Sequence, residues 1–116
     1  MLRTNARYLQ IAFNYDLRLV VDVLPTIVHN DRILIEAGTP FIKREGMKAI
    51  SSIRQFWDGI VVADLKVADG AIGEVQLAHM AGASAATVLG SAPTETINIF
   101  IDQCNRLGMI SMVDMI

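Results

Sequence analysis

Five apolar runs recur along the chain, and each has the length of one strand in a buried sheet. Their residues are continuously apolar instead of alternating with polar ones, which is typical of parallel strands covered on both faces. The sequence therefore predicts five strands, at residues 8–13, 32–36, 59–66, 85–90 and 109–114.

The segments between these runs repeat apolar residues every three or four positions, which is the period of an amphipathic helix. Four helices are expected, around residues 17–24, 47–57, 72–78 and 97–107. Pro25 should end or bend the first helix. Ser91 should cap the fourth helix, which Gly108 then ends. The glycine-threonine-proline segment 38–40 favours a simple turn.

This alternation of strands and helices predicts an α/β fold of composition (βα)4β. It implies a parallel sheet whose crossover connections are right-handed. Neither a linker nor a low-complexity segment divides the chain, so we expect residues 1–116 to form one unit.

Polar side chains close the predicted strands at their carboxyl ends, while the opposite ends carry none of comparable chemistry. They are Asn14, Glu36, Asp64, Lys66, Asp69 and Asp114. Alternation along a strand turns Asp64 and Lys66 toward the same side. Charged residues are almost never buried unpaired. Two acids that bracket a lysine within six residues therefore indicate a site, in the layout of the active face of a (β/α) barrel.

Composition narrows the class of protein. The 116 residues carry a formal net charge of −2 without a clustered basic face, so no nucleic-acid partner is expected. Apolar residues make up 53%, yet no run approaches the roughly 20 residues of a membrane span. The single cysteine, Cys104, forms no internal disulfide, and the amino terminus lacks the apolar core of a signal peptide. We therefore expect a cytoplasmic protein without a membrane partner.

Four sequence segments, in this order and at natural spacing, carry a family resemblance. They are Leu-Gln-Ile-Ala-Phe-Asn at 9–14, Glu-Ala-Gly-Thr-Pro at 36–40, Ala-Asp-Leu-Lys-Val-Ala-Asp at 63–69 and Thr-Val-Leu-Gly at 87–90. The chain resembles the orotidine 5′-phosphate decarboxylase superfamily over essentially its whole length. Within it, the second and third segments are most similar to the 3-hexulose-6-phosphate synthases, including archaeal forms fused to a formaldehyde-activating domain.

The resemblance implies a (β/α)8 TIM barrel in which this chain supplies strands 1-2-3-4-5, and it implies a homodimer with active sites near the interface. It further implies a lyase of carbohydrate metabolism that uses magnesium. In that branch Mg²⁺ holds an enediolate of the sugar-phosphate substrate, ribulose 5-phosphate, which adds to formaldehyde.

Roles for individual residues also come from the resemblance. Glu36 and Asp64 are similar to the magnesium ligands, and Asp64 also counts among the catalytic residues. Lys66 is similar to the lysine that stabilises the enediolate or delivers a proton. Asp69 is similar to the aspartate that reaches into the neighbouring subunit's site. Asp114 matches a catalytic acidic residue at the end of the fifth strand.

Two departures from the family pattern matter. The first strand ends in Asn14 where many members have aspartate, so a substrate-binding role is expected there instead of a carboxylate base. Asp16, two residues later, is an alternative carboxylate. The chain also stops after the fifth strand, so the sixth-strand histidine and arginine and the glycine-rich phosphate grip are missing. It is expected to be the N-terminal part of a barrel.

Two alternatives remain open. One is a decarboxylase of orotidine 5′-phosphate or of 3-keto-gulonate 6-phosphate. An extra lysine just before the motif would favour orotidylate, but residues 60–63 contain none. The other is a non-catalytic half-barrel that works as an assembly module. Its open edges would be covered by a second copy or by the missing half-barrel.

Overall fold

The computed structural model describes residues 2–116 and shows one sheet of five parallel strands that lie side by side in chain order. The strands are β1 (Leu9–Phe13), β2 (Ile33–Ala37), β3 (Val61–Val67), β4 (Ala85–Leu89) and β5 (Ile110–Asp114). Each begins and ends within two residues of its predicted run. The predicted α/β composition and strand order are confirmed.

The helices follow the prediction with one addition. They are α1 (Leu17–Val23), α2 (Thr39–Glu45), α3 (Lys48–Phe56), α4 (Ala71–Met80) and α5 (Thr94–Arg106). Pro25 acts as expected, because α1 stops at Val23 and the proline lies in a 3-10 turn over Leu24–Thr26. Among residues 2–116, no helix has both the length and the apolar content needed to cross a bilayer.

Two local predictions were wrong. The segment 38–40 does not form a simple turn but begins α2, with Gly38 as the N-cap and Pro40 in the first turn. Proline suits that position, because its missing N–H would have no partner inside the helix anyway. Ser91 does not cap α5, whose N-cap is Pro93. A turn closed by the Ala92 N–H on the Leu89 carbonyl holds Ser91 before the helix begins.

The outer face of the sheet packs against the helices and forms the larger core. Strand residues such as Ile35 and Val88 are fully buried there, against Phe41 of α2 and Phe100 of α5. Burial of apolar surface at about 25 cal/mol per Å² makes this layer the main source of stability.

The inner face is smaller and differs between its two ends. Leu34, Val62 and Ala85 form an apolar cluster near the amino ends of the strands. Two residues further along β2 and β3, the same face carries Glu36 and Asp64. The strands therefore hold their polar side chains at the carboxyl end, on a face that no helix covers.

Candidate active site

The candidate site is built around one ammonium group between two carboxylates. Lys66 Nζ donates to Asp64 Oδ2 at 2.9 Å and to Asp114 Oδ2 at 2.6 Å. Asp64 and Lys66 lie near the end of β3, and Asp114 ends β5 two strands away. The parallel sheet thus brings the local pair Asp64 and Lys66 next to Asp114, which lies 48 positions after Lys66 in the sequence.

The site sits on an irregularity of β3. Ala63 pairs with Ala86 of β4, but the next pair along the strands is Val67 with Val88. Three residues of β3 therefore oppose a single residue of β4, Thr87. Such bulges re-aim side chains and are common beside active sites. Strict strand alternation does not hold at this point, although Asp64 and Lys66 still meet.

Hydroxyl groups hold the bulge in place. Thr87 Oγ1 donates to Asp64 Oδ1 at 2.8 Å and accepts the Lys66 backbone N–H at 3.0 Å. From α2, Thr39 Oγ1 donates to the Asp64 carbonyl at 2.6 Å. Lys66 itself has φ of 46°, a left-handed conformation that few side chains other than glycine adopt. The neighbouring strand β4, through Thr87, and the helix α2, through Thr39, therefore fix the backbone that carries the charged groups.

The surroundings shift the pKa values of the two ion-pair partners in opposite directions. Burial alone would raise the pKa of Asp64, but hydrogen bonds from Lys66 and Thr87 outweigh it and lower that pKa. Hydrogen bonds to Asp114 and Asp64 raise the pKa of Lys66 above its ordinary value. At neutral pH the site therefore contains a persistent ammonium group and not a free amine.

Glu36 lies close to this ion-pair cluster, but its negative charge is less well neutralised than that of Asp64. Burial is the largest influence and raises the pKa of Glu36, while Gln10 Nε2 donates to Oε1 and acts against the rise. The negative charges of Asp64 and Asp114 raise it further. Three carboxylates therefore feel the charge of one ammonium, which contacts only Asp64 and Asp114, so negative charge exceeds positive charge in this region.

The predicted metal ligands Glu36 and Asp64 suit a hard divalent cation, because both are carboxylates in a region where negative charge exceeds positive charge. Across residues 2–116, no three His, Cys, Asp or Glu side chains are gathered closely enough to build a metal site from protein alone. Magnesium usually keeps several waters and takes only one or two carboxylates. Glu36, a partly buried carboxylate whose hydrogen-bond partner is the neutral Gln10, matches that donor set.

Asn14 is not drawn into the cluster. It follows β1 and is exposed, and its side chain lies against Gly38, where a Cβ would come within 1.6 Å of Asn14 Oδ1. Asp16 cannot replace it as a free carboxylate, because Asp16 caps α1 by accepting the Leu19 N–H at 3.0 Å. The end of β1 therefore offers an amide at the rim of the site.

Asp69 also lies outside the cluster. It is exposed in the loop before α4, at a cavity of about 350 Å³ between α2 and α4. Lys66, Asp64, Lys43 and Glu74 line the same cavity. Burial and the nearby Asp69 charge raise the pKa of Glu74. Asp69 thus shares a cavity with Lys66, but the hydrogen bonds of the Lys66 ammonium go to Asp64 and Asp114.

Sequence reasoning missed three polar residues of the site. Thr87, Thr39 and Gln10 each hydrogen-bond one of the charged groups or its backbone. Only Thr87 left a usable signal, since it is the single polar residue in the run 85–89.

Comparisons with known proteins agree with this fold. Residues 7–116 match the family described as Orotidine 5'-phosphate decarboxylase / HUMPS family. The chain belongs to that family. Its five ordered parallel strands correspond to about half of the family's TIM barrel.

Individual relatives place the chain more finely within the family. It is 43% identical over 109 residues to "Bifunctional enzyme Fae/Hps" of Methanocaldococcus jannaschii, covering 93% of this chain and 29% of that protein. The crystal structure of 3-hexulose-6-phosphate synthase from Salmonella typhimurium shares 37% identity with a TM-score of 0.86, covering 93% of this chain and 52% of that one.

A second type of enzyme lies almost as near. The 3-keto-L-gulonate-6-phosphate decarboxylase from Vibrio cholerae shares 31% identity with a TM-score of 0.85, covering 92% of this chain and 50% of that one. The chain therefore spans less than a third of the curated relative and about half of the solved structures.

Proposed function

We propose that this chain is the metal and lysine half of a 3-hexulose-6-phosphate synthase, which joins formaldehyde to ribulose 5-phosphate. The observation that carries the proposal is the Lys66 ammonium, held between Asp64 and Asp114 beside the under-compensated Glu36. The identity of 37–43% to proteins named for this activity supports it.

The reaction is an addition in which no group leaves. C1 of the ketose loses a proton to give an enediolate, C1 then attacks the formaldehyde carbon, and the former carbonyl oxygen of formaldehyde gains a proton. Negative charge develops on oxygen throughout. The Lys66 ammonium suits this chemistry, because preorganised positive charge at a developing oxyanion is among the largest catalytic effects.

The other residues have supporting parts in the proposal. Asp64 and Asp114 hold Lys66 in place and keep it protonated. Glu36 and Asp64 would hold Mg²⁺, which supplies Lewis acidity toward the enediolate oxygens. Asn14 offers an amide to a substrate hydroxyl at the rim. We place Asp69 in the neighbouring subunit's site, because it is exposed and is not among the hydrogen-bond partners of Lys66.

The test measures hexulose phosphate made from formaldehyde and ribulose 5-phosphate by the protein as its own cell produces it. Removal of divalent ions with a chelator should reduce the rate by roughly a hundredfold or more, and added Mg²⁺ should restore it. Full activity after chelation would refute the magnesium role. No product with Mg²⁺ present would refute the synthase proposal.

A decarboxylase is the second candidate, and the similarity to the Vibrio cholerae enzyme favours it. The same ammonium could stabilise the enediolate that forms when 3-keto-gulonate 6-phosphate loses carbon dioxide. Parallel assays with this substrate and with orotidine 5′-phosphate separate the reactions. Release of carbon dioxide faster than formaldehyde addition would replace the first proposal.

We further propose a homodimer, in keeping with a cytoplasmic enzyme of this family. The exposed side of α4 supports it: Ile72, Leu77 and Met80 are 55%, 52% and 75% exposed. A helix that is apolar on its outer side as well as its inner side is normally covered. The test is the molar mass in solution, for which Leu77→Glu should shift a dimer toward monomer. A wild-type monomer would refute the dimer and favour pairing of the open sheet edges with a separate half-barrel.

A further inference from the structure

We propose that Thr87 is a positioning residue, which sets both the orientation of the Asp64 carboxylate and the backbone conformation of Lys66. The inference rests on the proposed function, because positioning matters only if these two groups perform chemistry. Thr87 itself lies 8% exposed on β4, the one buried polar residue within residues 2–116.

The first step of the argument is the register of the sheet. Thr87 is the only residue of β4 opposite the three-residue bulge 64–66 of β3. On its other side it pairs with Met112 of β5 in regular register. Thr87 therefore lies between the regular pairing of β4 with β5 and the irregular pairing of β4 with β3, directly opposite the bulge.

The second step is the use of the hydroxyl. A threonine hydroxyl has one hydrogen to donate, and Thr87 gives it to Asp64 Oδ1 at 2.8 Å. The other oxygen of that carboxylate, Oδ2, accepts from Lys66 Nζ at 2.9 Å. Because each oxygen has its own donor, the carboxylate plane is fixed. Rotation of Asp64 would break one of the two bonds.

The third step concerns the lysine backbone. Thr87 Oγ1 also accepts the Lys66 N–H at 3.0 Å, and Lys66 has φ of 46°. A left-handed conformation at a non-glycine residue persists only where its surroundings hold it. The same oxygen that orients the acid therefore also fixes the starting point of the lysine side chain. Without it, the ammonium would no longer be tied to one place between Asp64 and Asp114.

The experiment compares Thr87→Val, which keeps the branched shape, with Thr87→Ser, which keeps the hydroxyl. Hydrogen exchange of the Lys66 backbone amide, followed by NMR, reports the bond directly and needs no turnover. In Thr87→Val this amide should exchange roughly tenfold faster or more, and kcat should fall roughly 10–100-fold with KM little changed. Thr87→Ser should restore both.

Thr26→Val is the matched control. Thr26 also donates its hydroxyl, to the Val23 carbonyl at 2.6 Å, but it is exposed in the 3-10 turn far from β4. This variant should leave the Lys66 amide and kcat unchanged. If Thr87→Val does not fold, Thr87→Ser against Thr87→Ala gives the same comparison, since both lack the methyl group and differ only in the hydroxyl.

The outcomes separate the two proposals. An unchanged Lys66 amide in Thr87→Val, or a Thr87→Ser variant as impaired as Thr87→Val, would overturn the positioning role even in an active synthase. A Lys66 amide that responds as expected, in a protein that makes no hexulose phosphate, would uphold the geometric role of Thr87 and refute the proposed synthase activity instead.

Discussion

A long basic side chain lies at each end of β3, Arg54 from α3 at the amino end and Lys66 at the carboxyl end, and the two have different kinds of partners. At the amino end, Arg54 donates to the carbonyls of Trp57, Gly59 and Gly82 at 2.8–2.9 Å and to Ser84 Oγ at 2.8 Å. All of these partners are neutral. At the carboxyl end, Lys66 pairs with the carboxyl groups of Asp64 and Asp114.

The difference in partners indicates that Arg54 has a structural role and Lys66 a chemical one. Arg54 joins the turn before β3 to the turn before β4, and burial lowers the pKa of its guanidinium. It gains hydrogen bonds there but no strong ionic partner, which is the behaviour of a structural clamp. Lys66 lies where carboxylates outnumber it, on the uncovered face. We therefore expect stability to depend on Arg54 and turnover to depend on Lys66.

The largest effect should come from Lys66→Ala. Loss of the ammonium should lower kcat by about a thousandfold, which corresponds to roughly 4 kcal/mol of transition-state stabilisation. The free energy of unfolding should fall by only about 1–2 kcal/mol, because Asp64 and Asp114, 13% and 19% exposed, lose their cationic partner but keep some contact with water. Kinetics and urea unfolding of the same preparation measure both. Lys48→Ala, at the exposed start of α3, is the control, and equal losses in the two variants would contradict the prediction.

The opposite pattern is expected for Arg54→Ala. Four oxygen atoms lose their donor, so the free energy of unfolding should fall by about 3 kcal/mol, since the net cost of an unpaired buried group is about 1–3 kcal/mol. Activity of the folded fraction should persist. Thermal and urea unfolding test this against Arg106→Ala, an exposed arginine in the last turn of α5. A variant as stable as wild type would remove the contrast between the two ends of β3.

Acid should reveal the contribution of Asp64. Because the folded protein lowers its pKa, this contribution to stability is complete above the unfolded value near pH 4 and is lost as pH falls through the folded value. Asp64→Asn should therefore cost about 1 kcal/mol at pH 6, and this cost should shrink as the pH falls below about 4. Urea unfolding across this pH range measures it. Asp102→Asn, on the exposed side of α5, is the control for a substitution at the surface.

The smallest effect should have the opposite sign. The folded protein raises the pKa of Glu36, so the protonated form is favoured in the fold. Its contribution to stability is complete below the unfolded pKa and is lost as pH rises through the folded pKa, which leaves an unfavourably buried carboxylate at neutral pH. Glu36→Gln should therefore stabilise the protein at pH 7 by about 0.5 kcal/mol while it removes activity. Melting temperatures can detect this. Glu95→Gln, in the exposed first turn of α5, should not be stabilising.

The fold was largely predictable, because buried parallel strands leave short continuous apolar runs, whereas amphipathic helices repeat apolar residues every three or four positions. The missed helix, α2, shows the limit. Gly38 and Pro40 are turn residues in general, but they also suit the N-cap and first turn of a helix, and here Phe41 of that helix is buried in the core.

The site was predictable only where neighbours in sequence are neighbours in space. Asp64 and Lys66 are two residues apart, and a strand brings them together even across a bulge. Asp114 could be placed beside them because parallel strands end at one edge. Thr87 stands out as the single polar residue of its strand, but its partners could not be predicted, because no spacing rule ties an isolated hydroxyl to a distant acid.

The contact between Gly38 and Asn14 links a glycine at the start of α2 to the amide at the end of β1. A Cβ at position 38 would lie 1.6 Å from Asn14 Oδ1 and 2.7 Å from Asn14 Cγ. Any side chain at position 38 would therefore displace the exposed Asn14 side chain from its place at the rim, and the Phe13 carbonyl, 3.1 Å from the same Cβ, would also be crowded. Aspartate has the shape of asparagine, so the glycine leaves room for an amide or a carboxylate at position 14. A substitution at position 38 would thus change the chemistry of the rim without touching a charged residue.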